Sequence, residues 1–301
     1  MMDTMFKKPQ KFPDDLEPIG VYIHIPFCKS RCNYCGFVSH NSDAELEDLY
    51  VGALNREIEH LDSSPVLLNS SFPNIVDTIY FGGGTPSVLE PRTIGRLIQS
   101  VCQVIIPASG LEITVEVNPG TYRKDQLAIL RDTGVTRLSI GAQSLNDSEL
   151  RRMNRSNSSY DFIKLYDAAR GVGFDNISVD LLAGYPGQTI ESMMKSVLGI
   201  IELEPEHISV YLLEIKSGSR LERKAIAGLV KFPDDDLAAD MYESTCLQIE
   251  ESGFQQYEIS NFSKKGKESL HNIKYWSDKI FLGFGLAAHG MTGRARYSNV
   301  V

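Results

Sequence analysis

Short strand-like segments alternate with helical patterns along most of the chain, and this alternation restricts the fold more than any other feature. Strands are predicted at residues 22–25, 75–81, 111–117, 135–140, 176–182 and 207–213. A helical pattern follows each of the first five, and such βαβ units form a parallel sheet. Because crossovers between parallel strands are right-handed, six units curl into an open barrel. The sequence therefore predicts an α/β fold built on a partial (β/α)6 barrel.

The regions on either side of the barrel have different patterns. Residues 1–19 are a polar, proline-containing lead-in, and the barrel is predicted to span residues 20–215. Residues 216–301 contain a polar loop with one short helix, an amphipathic helix at 237–252 and a short strand after it. No element is predicted within residues 261–301. The chain is thus divided into a lead-in, a barrel and a smaller C-terminal α+β extension that acts as an accessory segment.

Composition and charge argue against several classes of function. The 301 residues carry a net charge of −9 without a basic stripe, which argues against nucleic acid as a partner. No window approaches about 18 uncharged apolar residues, so no transmembrane segment is expected. No apolar run follows the lysines near the N-terminus, so no signal peptide is expected either. Cys102 and Cys246 lie in apolar helical patterns, and no disulfide framework is suggested. These features favour a cytoplasmic protein.

Three cysteines follow the first strand as C-x3-C-x2-C, at Cys28, Cys32 and Cys35. Pro26 ends the strand, so the cysteines lie on a loop. Thiolates this close together favour a soft metal centre. A cubane iron–sulfur cluster takes four ligands, so three cysteines leave one iron open for chemistry. Two alternatives stay open: a zinc site completed by a nearby histidine, and three unconnected thiols.

This spacing, with the longer string Y-I-H-I-P-F-C before it, resembles the radical S-adenosylmethionine (SAM) proteins. Within them it is similar to the branch of the oxygen-independent coproporphyrinogen III oxidases. The resemblance implies a [4Fe-4S] cluster on Cys28, Cys32 and Cys35, with SAM chelated to the open iron. One electron from the cluster then cleaves SAM to a 5′-deoxyadenosyl radical. The resemblance also implies that Tyr22 contacts SAM and that Tyr34 packs beside the cluster.

A glycine-rich loop follows the second strand, in the sequence F-G-G-G-T-P at residues 81–86. Glycines let the backbone approach a ligand closely, although a tight turn also explains such a run. The loop resembles the SAM motif of the family. The resemblance implies that Gly83, Gly84 and Thr85 meet the SAM amino group.

Polar residues near the ends of later strands complete the candidate site. Glu116 alternates with two valines, so it faces the barrel interior if they face the helices; an exposed carboxylate is the alternative. A buried carboxylate needs a partner, such as ribose hydroxyls or a cation. The resemblance implies that Glu116, Gln143, Arg155 and Asp180 contact SAM. No residue is assigned a catalytic role.

The string H-N-I-K-Y-W at residues 271–276 matches the H-N-x-x-Y-W motif of the heme-chaperone branch of the family. A neutral imidazole is a good axial ligand for heme iron, so His271 is a candidate heme ligand and His289 a weaker second one. The alternative is a histidine that hydrogen-bonds the barrel rim. The oxidase branch has a fourth cysteine where this chain has Phe37. This difference and the short lead-in favour the chaperone branch.

Two functions of different class follow from the resemblance, and whether the protein is an enzyme stays open. The first is a cluster- and SAM-containing chaperone that binds heme and delivers it to an apo-protein. The second is an oxidoreductase that decarboxylates coproporphyrinogen III by radical chemistry. Either function implies heme or a porphyrinogen as ligand and an electron donor as partner. The resemblance extends from Gly20 to Val300, and it implies a further C-terminal domain beyond the point where this sequence ends, so a truncated accessory segment is expected.

Overall fold

A computed structural model describes residues 17–61, 74–293 and 295–300 of the chain. Most of the predicted lead-in and the loop predicted at 63–73 lie outside these residues. Six parallel strands lie side by side in chain order and form the centre of the sheet. They are β1 (Ile19–Ile25), β4 (Ile75–Gly83), β5 (Ile106–Val117), β6 (Arg137–Gln143), β7 (Ile177–Ala183) and β8 (His207–Leu212). The predicted α/β fold with six parallel strands is therefore confirmed.

Helices connect these strands and bury one face against the sheet. They are α1 (Ala44–Glu59), α2 (Pro91–Val104), α3 (Lys124–Asp132), α4 (Asp147–Arg152), α5 (Ser159–Gly171) and α6 (Ile190–Ile201). In α2 the side chains of Ile94, Leu97, Ile98 and Val101 are fully buried, as their helical spacing requires. Side-chain caps fix where several helices begin. For example, the Asp43 carboxylate accepts a hydrogen bond from the backbone N–H of Leu46 at the start of α1.

The segment after the barrel adds strands to both edges of the same sheet. Its elements are α7 (Arg220–Ile226), α8 (Asp235–Glu251), β9 (Gln255–Glu258), β10 (Asn261–Ser263), α9 (Leu270–Trp276), β11 (Phe281–Phe284), β12 (His289–Met291) and β13 (Arg296–Ser298). Strand β11 pairs parallel with β1, and β10 pairs antiparallel with β8. A separate two-stranded ladder joins β2 (Phe27–Cys28) to β3 (His40–Asn41) beside the cysteine loop. The division of the chain at residue 215 stays a prediction.

Several predicted boundaries were wrong by a few residues. Strand β5 begins at Ile106 and not at residue 111, because the first residues of β4 pair with Ile106 and Pro107. Strand β6 ends at Gln143 and not at residue 140, because β7 pairs with it across a register shift between Gly141 and Gln143. Four strands and a helix lie within residues 261–301, where none was predicted.

The two faces of the central strands differ in chemistry. The face toward the helices is apolar and forms the main core, which includes Val115, Ile140 and Val179. The opposite face carries polar side chains at every second position. They are Thr78, Tyr80, Thr114, Glu116, Ser139, Ser178, Asp180, His207, Ser209 and Tyr211. The interior of the partial barrel is therefore built for polar ligands. No described helix combines the length and hydropathy needed to cross a bilayer.

Candidate functional site

A cavity of about 370 Å³ opens at the carboxyl ends of the central strands, where functional residues of such barrels collect. It gathers most of the residues predicted from sequence, which come from six separate segments. These lining residues are Cys28, Cys32, Tyr34, Cys35, Gly83, Gly84, Thr85, Glu116, Gln143, Arg155 and Asp180. Tyr22 and His271 are not among them.

The cysteine loop is fixed to its neighbours through Asn33, which is buried. The Asn33 side chain donates to the carbonyl of Arg152 (2.6 Å) and accepts from the hydroxyl of Tyr185 (3.0 Å). Its backbone N–H donates to the carbonyl of Met153 at 3.2 Å, and its carbonyl accepts from the N–H of Leu221 at 2.8 Å. Hydrogen bonds of this one residue therefore hold the loop between Cys32 and Cys35 against the end of α4, Tyr185 and α7.

The three cysteine thiols are free, and three sulfur donors on one loop fit an iron–sulfur cluster. Burial raises the pKa of the Cys28 and Cys35 thiols, so they need a nearby cation to become thiolates. Within the described residues no three His, Cys, Asp or Glu ligands converge on one metal ion.

The glycine loop after β4 lies against the cysteine loop. Gly83 has φ of +111°, and a Cβ there would lie 2.5 Å from the His24 ring. A Cβ on Gly84 would lie 2.8 Å from the carbonyl oxygen of Phe27, so this position also requires glycine. The hydroxyl of Thr85 donates to the sulfur of Cys28 at 3.4 Å. Sequence reasoning found this loop, and the geometry explains why glycines occupy it.

Two carboxylates, Glu116 and Asp180, both line the cavity. Burial, and then the charge of Asp180, raises the pKa of Glu116 to about 7. The Tyr80 hydroxyl, 3.1 Å from Glu116 Oε1, and the Gly83 N–H donate to its carboxylate. Burial also raises the pKa of Asp180, although Ser139 donates to both of its oxygens at 3.1 and 3.2 Å. The pair presents acceptors suited to ribose hydroxyls or to a cation.

Gln143 and Arg155 enter the cavity because of local backbone and packing features. Gln143 has φ of +67° beside the register shift in β6, and a bulge of this kind redirects a side chain. The Arg155 guanidinium donates to the Asn118 side chain at 2.9 Å and contacts Cys32 Sγ at 3.8 Å. Gly141 lies between these groups, since a Cβ there would be 2.9 Å from Asn118 Oδ1. Arg155 is therefore half-buried, with its guanidinium held in the cavity wall.

Sequence reasoning missed several residues of the cavity wall. Tyr80, Ser139 and Tyr211 line it, together with Asn118. The first three lie on the polar face of β4, β6 and β8, in phase with Glu116 or Asp180. The period-2 alternation of polar and apolar residues could have identified them. Asn118 follows β5 in a turn, and its contact with Arg155 has no sequence signal.

Tyr22 and His271 belong to an aromatic cluster deeper in the barrel. The ring of His271 stacks on Tyr80 (5.3 Å between centroids) and on Tyr22 (6.4 Å). His271 Nδ1 is 2.8 Å from the Thr78 hydroxyl, and Nε2 is 3.0 Å from the Tyr275 hydroxyl. Burial, and then the charge of Lys274, lowers the pKa of His271 to about 3, so the ring is neutral. Both of its nitrogens have protein partners in this structure.

Comparisons with known proteins agree with this geometry. Residues 22–198 match the family model of the Radical SAM superfamily. The chain is 38% identical over 282 residues to the heme chaperone HemW of Bacillus subtilis, covering 93% of this chain and 73% of that protein. It is 35% identical to the mitochondrial radical S-adenosyl methionine domain-containing protein 1 of Danio rerio, covering 93% of this chain and 62% of that protein.

A solved structure supports the same relationship. Coproporphyrinogen III oxidase (HemN) from Escherichia coli, described as a radical SAM enzyme, matches with a TM-score of 0.79 at 27% identity. The match covers 95% of this chain and 67% of that one. The resemblance read from the cysteine spacing is thereby confirmed. The chain belongs to the radical SAM superfamily, in the group that contains HemW and HemN.

Proposed function

We propose that this protein is a heme chaperone that holds a [4Fe-4S] cluster and SAM, binds heme and delivers it to apo-proteins. The observation that carries the proposal is the combination of 38% identity to a HemW with a three-cysteine loop bordering the cavity. Phe37, which stands where the oxidase branch has a fourth cysteine, borders the cavity and is 64% exposed.

The cavity residues divide into two groups with different tasks. Cys28, Cys32 and Cys35 would hold the cluster, which when bound supplies one electron to SAM. The backbone at Gly83 and Gly84 offers polar groups to the SAM methionine end. Glu116, Gln143, Arg155 and Asp180 surround the remaining volume and would orient the ribose and sulfonium.

Heme ligation by His271 is part of the proposal, and it requires a movement of the helix that carries this histidine. Because both imidazole nitrogens are hydrogen-bonded and the ring is 1% exposed, α9 must move away from Thr78 before iron can bind. His289 is exposed on β12 and needs no such movement. Heme ligation by each of the two histidines can therefore be tested separately through the spectrum of bound heme.

Decarboxylation of coproporphyrinogen III is the second candidate function. The observation that favours it is the TM-score of 0.79 to HemN, a coproporphyrinogen III oxidase. The same cavity could place a radical precursor beside a porphyrinogen. The absent fourth cysteine argues against it, as it did from the sequence.

One experiment separates the two functions. The cluster is reconstituted anaerobically, SAM and a reductant are added, and protoporphyrinogen formation is assayed beside heme uptake and transfer to an apo-cytochrome. The chaperone proposal expects heme uptake and transfer without decarboxylation. Product formation without heme uptake would overturn it. Replacing His271 or His289 by alanine then tests each ligand through the Soret band.

A cytoplasmic location completes the proposal. All five cysteines are free in the described structure, including the three that would bind iron. Thiolates of this kind persist in a reducing compartment. Fractionation of cells that express the chain tests the location, and recovery with the membrane fraction would contradict it.

A further inference from the structure

Three aromatic rings pack together deeper in the barrel than the cavity assigned to SAM. The imidazole of His271 lies 5.3 Å from the ring of Tyr80 and 6.4 Å from the ring of Tyr22, with 28° between the planes in both pairs. The rings of Tyr22 and Tyr80 are 6.2 Å apart and 22° from parallel. Tyr80 lines the cavity, and His271 does not. His271 therefore packs against a side chain that itself faces the ligand.

Tyr80 connects this aromatic cluster to Glu116. The Tyr80 hydroxyl donates to Glu116 Oε1 at 3.1 Å. Gly82 lies between them, since a Cβ there would be 2.9 Å from Glu116 Oε1 and 3.1 Å from the Tyr80 ring. The same Cβ would be 3.0 Å from the ring of Tyr22. The position of the Tyr80 hydroxyl therefore depends on close packing around its ring, to which His271 contributes one side.

The imidazole of His271 is held in place from several directions. It is 1% exposed, with Nδ1 2.8 Å from the Thr78 hydroxyl and Nε2 3.0 Å from the Tyr275 hydroxyl. Helix α9 is itself fixed, because Lys274 Nζ lies 2.8 Å from the Asp77 carboxylate. The ring keeps its place against Tyr80 as long as α9 stays where it is.

Iron ligation and support of Tyr80 make opposite demands on the same imidazole. Iron reaches a ring nitrogen of His271 only after α9 moves, and that movement withdraws the ring from Tyr80. Glu116 then loses the fixed position of a hydrogen-bond donor. Two ligands that favour different positions of one element are coupled, and the coupling acts equally in both directions.

We propose that His271 is a positioning residue of the SAM site, acting through Tyr80 on Glu116, and that a heme iron bound by this histidine weakens SAM binding. SAM bound at the intact cavity wall in turn disfavours the movement of α9. The inference rests on the proposed function, because it requires SAM in the cavity. Its first part requires no heme, so the two parts are tested separately.

Substitution of His271 tests the positioning role. The probe is S-adenosylhomocysteine, titrated by anaerobic calorimetry into cluster-loaded protein without heme. His271→Ala should weaken its binding by about five- to tenfold, because the Tyr80 hydroxyl is no longer held against the carboxylate. His271→Phe keeps a ring against Tyr80 and should restore most of the lost affinity, although phenylalanine does not bind iron. If only the hydrogen bonds of His271 mattered, both variants would lose affinity equally.

Two further variants make the result specific. Tyr80→Phe removes only the hydroxyl that reaches Glu116 and should weaken binding of the probe about as much as His271→Ala. Tyr166→Leu is the control, because Tyr166 is a buried aromatic residue on the helix side of the sheet, with its hydroxyl 2.9 Å from the Leu203 carbonyl. This control should lower the unfolding free energy and leave the affinity for the probe unchanged.

The coupling to heme is measured with the same probe. Hemin is added to the cluster-loaded protein in a stoichiometric amount, and the Soret band reports its uptake. The affinity of the wild type for S-adenosylhomocysteine should then fall by about fivefold or more. The affinity of His271→Phe should not change on addition of hemin, because its α9 has no iron ligand at this position.

Each outcome decides the proposal. Weaker binding in His271→Ala and Tyr80→Phe, with recovery in His271→Phe, supports the positioning role. Wild-type affinity in His271→Ala, equal loss in His271→Phe, or equal loss in Tyr166→Leu overturns it. Hemin that leaves the affinity unchanged overturns the coupling.

Failure of the proposed function gives a different result. A Soret band that does not depend on His271 would refute heme ligation by this residue and the coupling with it, while the titrations without heme still decide the positioning role. A wild-type protein that does not bind the probe would refute the SAM site itself. Iron and sulfide content identifies a missing cluster, and Tyr80→Phe keeps the test valid if His271→Ala does not fold.

Discussion

The raised pKa of the Glu116 carboxyl leads to a prediction of how the unfolding free energy of the cluster-free protein depends on pH. Burial raises its pKa from 4.5 to about 7 in the folded chain. The folded state therefore holds a proton that the unfolded chain has lost between about pH 4.5 and 7. Stability from this group is present at low pH and is lost as pH rises through 7. The difference between these two pKa values corresponds to roughly 3 kcal/mol of folding free energy at most.

The variant Glu116→Gln removes this titration while keeping the shape of the side chain. We expect it to gain about 2 to 3 kcal/mol of unfolding free energy relative to the wild type between pH 5 and pH 8. Urea unfolding of both proteins at several pH values, without cluster or SAM, measures the difference. A difference that stays constant across this range would refute the reasoning about the buried carboxylate pair.

Glu191→Gln is the matched control. Glu191 is exposed, and the hydrogen bond from Lys195 lowers its pKa. The contribution of Glu191 to folding stability is therefore fully present above the pKa that this group has in the unfolded chain. It is lost only at lower pH. The difference between this variant and the wild type should be flat from pH 5 to pH 8. A slope like that of Glu116→Gln would point to a global effect of pH.

Three further substitutions test other parts of the structure. Thr78→Val leaves His271 Nδ1 without a partner and should lower the unfolding free energy by about 1–3 kcal/mol, as measured in urea. Asn33→Ala removes two bonds that fix the cysteine loop and should cost about 2 kcal/mol and reduce iron retention. Gly83→Ala forces a Cβ into the His24 ring and should weaken SAM binding about tenfold or more in calorimetry. Unchanged stability in the first two variants, or unchanged SAM affinity in the third, contradicts the corresponding contact.

The barrel could be predicted because its signals are local. Each βα unit has an apolar strand and a helical pattern, and the motif residues follow strand ends. The alternation around Glu116 left an interior and an exposed side chain open, and the structure has Glu116 in the cavity wall. Strand ends were less accurate where pairing extends an element beyond its apolar run, as at Ile106 and Gln143.

The C-terminal segment could not be predicted because its elements are short and depend on distant partners. Strand β11 has four residues and exists because it pairs with β1, which is more than 250 positions away in the chain. The burial of His271 has the same cause, since Thr78 lies 193 positions before it. A motif match identified this histidine, but its hydrogen bonds follow from packing that no local pattern encodes.

The most direct test of the central claim is the iron and sulfide content of anaerobically purified protein, combined with electron paramagnetic resonance of the reduced form. We expect about four iron and four sulfide ions per chain, with a spectrum that changes when SAM is added. Cys32→Ala should abolish both, and Cys102→Ala, in the α2 core, should retain them. One zinc per chain without sulfide, or an intact cluster in Cys32→Ala, would contradict the assignment of the site.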